Sequence, residues 1–241
     1  MHLTWLRSDL RIDDNTALAA ASERGPTLAL WLVSPGQWLA HDDAACKVDF
    51  WLRNLRDLRQ SLERLNIPLL IRRIDIWDQA PQAVLDVCRQ HQVQSVHWNE
   101  EYGINEQRRD DATRALLEKS SIQAHSHLDQ LLFRPGTILT RSGDYFQVFS
   151  QFKKNCLEHL HRGLPALAHR VKRQAPLQIS SDPIPEHVDG FEKPAQTLRD
   201  HWPAGEAEAQ ARLARFLDET IDDYHQPVSY THLRAHETRG N

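Results

Sequence analysis

The chain has 241 residues, 40% of them hydrophobic and 26% charged, enough for one packed α/β domain and part of a second unit. That balance argues against disorder, and a formal net charge of −4 argues against a domain that grips a phosphate backbone through its own basic surface. No apolar run reaches the roughly 18 residues of a membrane-spanning helix, and Met1-His2-Leu3-Thr4-Trp5 enters a strand pattern directly, without a secretory signal. A monomeric cytoplasmic protein is expected. Cys46, Cys88 and Cys156 are odd in number and lack C-x-x-C spacing, so they read as reduced, buried thiols.

Apolar runs alternate with helical stripes through the first half. Leu3 to Leu6 reads as a buried strand, followed by a polar loop and a helix near Asn15 to Glu23. Arg24-Gly25-Pro26 ends that helix, and Thr27 to Val33 is a second strand, followed by Ser34-Pro35-Gly36 and a loop. Val48, Leu52, Leu55, Leu58, Leu62 and Leu65 then form one helical face, with Arg53, Arg56 and Arg59 on the wet side. Ile67 to Ile74, Val93 to Trp98 and the weaker Ser121 to Leu128 are further strands; Ala80 to His91 and Ile104 to Lys119 are the helices between them. This succession predicts an open, doubly wound, five-stranded parallel sheet of Rossmann-like order 3-2-1-4-5.

The pattern then breaks. Leu131 to Thr140 is irregular, and Val148, Phe149, Phe152, Cys156 and Leu160 make another helical face. Residues 164–204, with Pro165, Pro176, Pro183, Pro185, Pro194 and Pro203, read as an interdomain linker crossing the surface. The expected division is therefore a domain over residues 1–130, extended to 163, then the linker. Residues 205–226 open an all-α domain, with Ala209, Leu213, Phe216 and Leu217 as apolar positions. Residues 227–241 continue no pattern and are expected to be a non-native or unrelated tail.

Ligands of open α/β sheets sit beyond the carboxyl ends of the strands, where strand order reverses. For this order that crevice lies between strands one and four, and the two most polar post-strand loops, Arg7 to Asn15 and Asn99 to Glu106, follow those strands. The first loop has no glycine, which excludes a dinucleotide-type phosphate turn, and no Walker-type loop occurs. A stand-alone nucleotide-binding domain is disfavoured on that ground. His125-Ser126-His127 and His159-Leu160-His161 find no third partner at metal-ligand spacing, so no metal is expected. Seven tryptophans against four tyrosines read as core indoles, with a flat aromatic ligand as the sharper alternative.

The first loop carries a resemblance. Trp5-Leu6-Arg7-Ser8-Asp9-Leu10-Arg11-Ile12-Asp13-Asp14-Asn15 is similar to the R-x-D-L-R-x-x-D-N opening of the photolyase and cryptochrome family. Ser34 to Trp38, Asn99 to Asp110 and Phe146 to Lys154 resemble its later segments, in order. The resemblance implies the N-terminal half of a class I, folate-type deoxyribodipyrimidine photo-lyase, an enzyme that splits cyclobutane pyrimidine dimers by electron transfer from reduced FAD. A cryptochrome-like photoreceptor or signalling module is the alternative. It implies an antenna chromophore, reduced folate (methenyltetrahydrofolate), held by Asn105 and Glu106, with deazaflavin or FMN as other family antennas. A carboxylate accepts well from a pterin ring N–H and 2-amino group; Glu106 at the third helical position equally suits a helix N-terminus. Tyr224 matches the edge of the FAD site. The flavin and DNA elements that should follow are not found after it, so UV-damaged DNA and FAD are expected partners of a longer parent. These 241 residues are expected to be inactive alone, without catalytic residues of their own.

Overall fold

The computed structural model describes residues 1–223. Its strands are β1 (His2–Leu6), β2 (Thr27–Val33), β3 (Leu69–Arg73), β4 (Ser95–Asn99) and β5 (Gln123–His127). All neighbours are parallel, in order β3-β2-β1-β4-β5, as the alternation of apolar runs predicts. Helices α1 (Thr16–Arg24) and α3 (Ala45–Arg64) cover one face; α4 (Ala80–Gln90) and α5 (Ile104–Lys119) cover the other. A central parallel strand is therefore buried on both sides. In β1, Leu3 and Trp5 pack towards Val84, Val87 and Leu117, while Leu6 packs with Leu18, Leu55 and Leu62. Asn15 ends the first loop by accepting from Leu18 N at 3.0 Å, an N-cap that fixes where α1 begins.

The segment after β2 differs from its reading as a loop: Pro35–Ala40 forms a short helix, α2, with proline in its first turn. Six residues are too few for an apolar period to show. The thiols also differ, since only Cys88 is buried, with its pKa pushed up to about 12 by desolvation; Cys46 is exposed and Cys156 half-buried.

Residues 164–204 do more than cross the surface. Val171, Val188 and Phe191 are buried against the α3 side of the core. Arg56 donates to the Pro185 carbonyl and Arg59 to that of Asp182. The Gln174 amide accepts from Thr27 N and donates to the carbonyls of Thr27 and Asn66. Ser181 and Asp182 then cover the edge of β3: Leu69 N donates to Ser181 Oγ, Ile71 N donates to Asp182 Oδ2, and Asp182 N donates to Leu69 O. An open sheet edge is an aggregation hazard that this strap removes. Asp182→Ala is expected to cost about 1–2 kcal/mol, discounted for partial exposure, and to speed amide exchange at Ile71. Unchanged exchange there would show that the strap does not protect the edge.

Two later helices are poorly covered. None of the residues of α6 (Phe149–Arg162) is buried, and Phe149 is 74% exposed. A short helix, α7 (Gln196–His201), and then α8 (Glu206–Glu219) follow. The start of α8 is anchored, because Gly205 N donates to Asn54 and the Glu206 carboxylate accepts from Ile12 N and Asp13 N. Its apolar positions Leu213 and Leu217 are exposed. No helix of the described residues is long and apolar enough to cross a membrane.

Candidate functional site

The loops after β1 and β4 meet, but they fill the crevice between those strands. Asp9 accepts from Arg7 N at 2.8 Å and from Asn99 Nδ2 at 2.6 Å; Asn99 Nδ2 also donates to Asn15 Oδ1, and Asn99 Oδ1 takes Ala17 N. Beside this network lies a buried group of four charges. Arg109 donates to Glu101 Oε2 and Asp110 Oδ1, both at 2.8 Å, and Arg7 Nη1 lies 3.3 Å from Asp110 Oδ1. Arg7 Nη2 also donates to the Asn99 carbonyl. Burial alone would raise the pKa of Glu101, but Arg7 and Arg109 outweigh it and hold the group below its usual range. For Asp110 burial prevails and its pKa is raised. The alternating charges of the first loop thus serve structure by pairing with other segments: Arg11 with Asp129, and Asp13 with Gln210.

With that crevice closed, the cleft opens one strand over, above the carboxyl ends of β1 and β2, with the β4 loop as one wall. It measures about 240 Å³. Trp5 and Trp31 come from the strands, Trp38 from α2, Trp51 from α3, and Trp77 from the turn before α4. Trp31, Trp38 and Trp51 pack in series, with ring centroids 5.7 and 5.3 Å apart. The Arg109 guanidinium sits 5.1 Å from the Trp5 ring and 4.7 Å from the Trp77 ring, tying two walls together by cation–π contact. Lys47, paired with Asp43, lies 4.8 Å from the Trp51 ring at the mouth. Flat apolar walls with a few convergent polar groups suit a planar ring system. At about 240 Å³ the cleft is smaller than the roughly 300–1,000 Å³ usual for small-molecule pockets.

Glu106, at the third position of α5, lines this cleft. Its carboxylate folds back over Gly103, where a methyl group would collide with it, so glycine before the helix makes room for that rotamer. No hydrogen bond or ion pair of the Glu106 carboxylate is found among the described residues. Asn105 is exposed and lines an adjoining groove with Gln37, Asp78 and Arg108, on the far side of Trp77 and Arg109. The two side chains are thus neighbours in sequence that serve different hollows. Tyr224 lies outside the described residues.

Not legible from the sequence is a chain of imidazoles on the α1 face. Ser95 Oγ lies 2.8 Å from His2 Nδ1 and 2.9 Å from His97 Nε2; His97 Nδ1 lies 3.1 Å from His127 Nε2. The i, i+2 spacing of His125 and His127 was the available signal, since in a strand it puts both on one face. Burial and the adjoining imidazoles push the His97 pKa down to about 3.

Comparison with known proteins follows the same lines. The chain is 31% identical over 225 residues to the deoxyribodipyrimidine photo-lyase of Salmonella typhimurium, a match covering 92% of this chain and 47% of that protein. It spans about half the length of the curated relatives it matches. A class III photolyase from Agrobacterium tumefaciens superposes with a TM-score of 0.71 at 24% identity, over 90% of this chain and 44% of that one. A Synechocystis cryptochrome gives a TM-score of 0.72 at 18% identity, over 94% and 48%; both likenesses concern the fold. The family model for DNA photolyase matches residues 2–172, the whole sheet with its flanking loops, and the chain belongs to the DNA photolyase family.

Proposed function

We propose that the chain is the antenna-chromophore half of a light-dependent DNA-repair enzyme that reverses cyclobutane pyrimidine dimers with reduced FAD. Residues 1–130, with their extension to 163, hold the antenna. Residues 164–204 link this part to a helical FAD-binding unit that begins at 205–226 and would include Tyr224 at the edge of its flavin site. The exposed Leu213 and Leu217 on α8 support that division, as faces suited to further packing. By their sequence, residues 227–241 are a non-native or unrelated tail that belongs to neither unit. UV-damaged DNA is the partner of the whole enzyme, which works as a cytoplasmic monomer.

The carrying observation is the unpartnered Glu106 carboxylate on the wall of an indole-lined cleft. A reduced folate fits this donor set. When bound, its pterin absorbs near-ultraviolet and blue light and passes the excitation on. The chain's residues do the holding: indoles cover the ring faces, Glu106 accepts from the ring N–H and amino group, and Lys47 at the mouth, shared with Asp43, offers a cation to an acidic tail. Asn105 contributes from the adjoining groove. Titrating the chain with methenyltetrahydrofolate while following indole fluorescence tests the assignment. A charge-assisted pair contributes about 1.5–3 kcal/mol, so Glu106→Ala should weaken binding by at least about tenfold. Equal affinity in the variant would reduce Glu106 to a helix-terminal charge.

A further inference from the structure

The formal charge of −4 is a sum, and its distribution is uneven. Between residues 153 and 173 the chain carries six basic residues, Lys153, Lys154, Arg162, Arg170, Lys172 and Arg173, against one acid, Glu158. All six are exposed, and none has an ion pair or side-chain hydrogen bond among the described residues. The arginines of α3 and α8 are engaged instead. Arg53 pairs with Asp49 and Arg59 with Glu63, Arg56 and Arg64 donate to Pro185 O and Ser61 Oγ, and Arg212 and Arg215 share Glu208. Packing holds the basic segment in place. Asn155, Cys156, His159 and Leu160 are half-buried and make the inner side of α6, with the His159 ring 5.9 Å from that of Phe133. Ala168 N then donates to Asp14, Val171 is buried in the core, and Gln174 is bound to Thr27 and Asn66. Unpaired cations gathered on one short stretch repel one another, and a polyanion would relieve that repulsion.

Building on the reading of the whole enzyme as a DNA-repair protein, we infer that residues 153–173 are a DNA-contacting strip on the antenna half, binding the phosphate backbone without regard to sequence or lesion. Lysine and arginine contacts to phosphates position a duplex but carry no base information. An acidic lipid surface is the competing polyanion, and α6 is poorly built for it. A helix that lies in a membrane surface segregates its apolar face from its cations. Here Phe149, Lys153 and Leu157 follow one another at four-residue spacing on one face, so a lysine interrupts the exposed apolar side.

Fluorescence anisotropy of a labelled DNA duplex, titrated with the 241-residue chain, tests this. Binding should be weak, with a Kd of roughly 10⁻⁴–10⁻⁶ M, and should fall steeply with salt, each phosphate contact adding about −0.9 to the slope of log K against log salt. Duplexes with and without a cyclobutane dimer should bind equally. The variant Lys153→Gln, Lys154→Gln, Arg170→Gln, Lys172→Gln changes only exposed, unpaired side chains. It should bind at least about tenfold more weakly, with the slope flattened by about 3. A charge-matched variant at exposed cations elsewhere, Arg89→Gln, Lys119→Gln, Arg141→Gln, Lys193→Gln, should lose less than about threefold, because salt screens charges outside the contact. Equal losses in the two variants, an unchanged slope, or a preference for the damaged duplex would overturn the strip. So would tighter binding to vesicles of phosphatidylserine and phosphatidylcholine than to DNA. Each of these results leaves the antenna reading standing, since the folate titration tests it separately. A chain that binds duplex DNA through the strip but takes no folate would keep the strip and defeat the antenna reading.

Discussion

An Arg109→Met protein is expected to be about 3–5 kcal/mol less stable than the wild type. The Arg109 side chain is 4% exposed and donates to both Glu101 and Asp110. Methionine has similar length and keeps most of the packing against Trp5 and Trp77, so the loss isolates the charge. Two buried carboxylates would then share Arg7 alone, and an uncompensated buried charge is among the most destabilising defects a core can carry. The urea midpoint measures this directly. A second readout separates charge from packing. The Asp110 pKa is already raised by burial, and losing Arg109, one of the two cations that oppose that rise, would raise it further. The deficit should therefore shrink as pH falls and Asp110 takes up a proton, whereas a packing defect would be indifferent to pH. A loss under about 1 kcal/mol, or one constant with pH, would refute the view that these charges hold the β1 and β4 loops together.

How far the sequence carries this picture depends on the range of the interaction. The leucine period of α3 and the apolar runs of the strands are local signals, and they predict the sheet order because parallel crossovers leave few topologies. The loop after β2 was misread because α2 spans under two turns, too short for periodicity. The cleft was placed at the strand-order switch between β1 and β4, where Arg7, Arg109, Glu101 and Asp110 instead pair and close the space. Charge pairing across 100 residues of chain has no sequence period. The indole walls illustrate the same limit, since Trp31, Trp38, Trp51 and Trp77 come from separate segments that only the fold brings together. Glu106 was legible through its motif, and its separation from Asn105 by Trp77 was not. The strap was read as a linker from its prolines, while the buried Val171, Val188 and Phe191 that seat it are too sparse to register.

Lowering the pH from about 7 to about 5 is expected to remove roughly 2 kcal/mol of stability through His97 alone. His97 is 1% exposed and its pKa is pushed down to about 3, first by burial, then by His127, His125, Arg24 and His2. Those groups face it from every element packed there. His127 lies parallel to it at 5.3 Å, His125 at 4.8 Å, and His2 edge-on at 6.5 Å. Glu100 and Asp129 act on the far end of the chain by raising His127, but burial and His125 keep that group low as well. The sign follows from proton counting. Between the folded value near 3 and the unfolded value of 6.5, the unfolded chain binds the proton and the folded chain does not, so stability rises with pH. The contribution is fully present above 6.5 and is lost progressively as pH falls towards 3. His2 and His125 are lowered too, so they add in the same direction. Above about pH 5 most carboxylates remain ionised, which confines the effect to the imidazoles. His97→Gln keeps a hydrogen-bonding side chain between Ser95 and His127 but cannot titrate. Its stability should be lower at neutral pH yet should fall less steeply towards pH 5. Parallel pH profiles for the two proteins would show that the imidazole chain does not couple the sheet to acid.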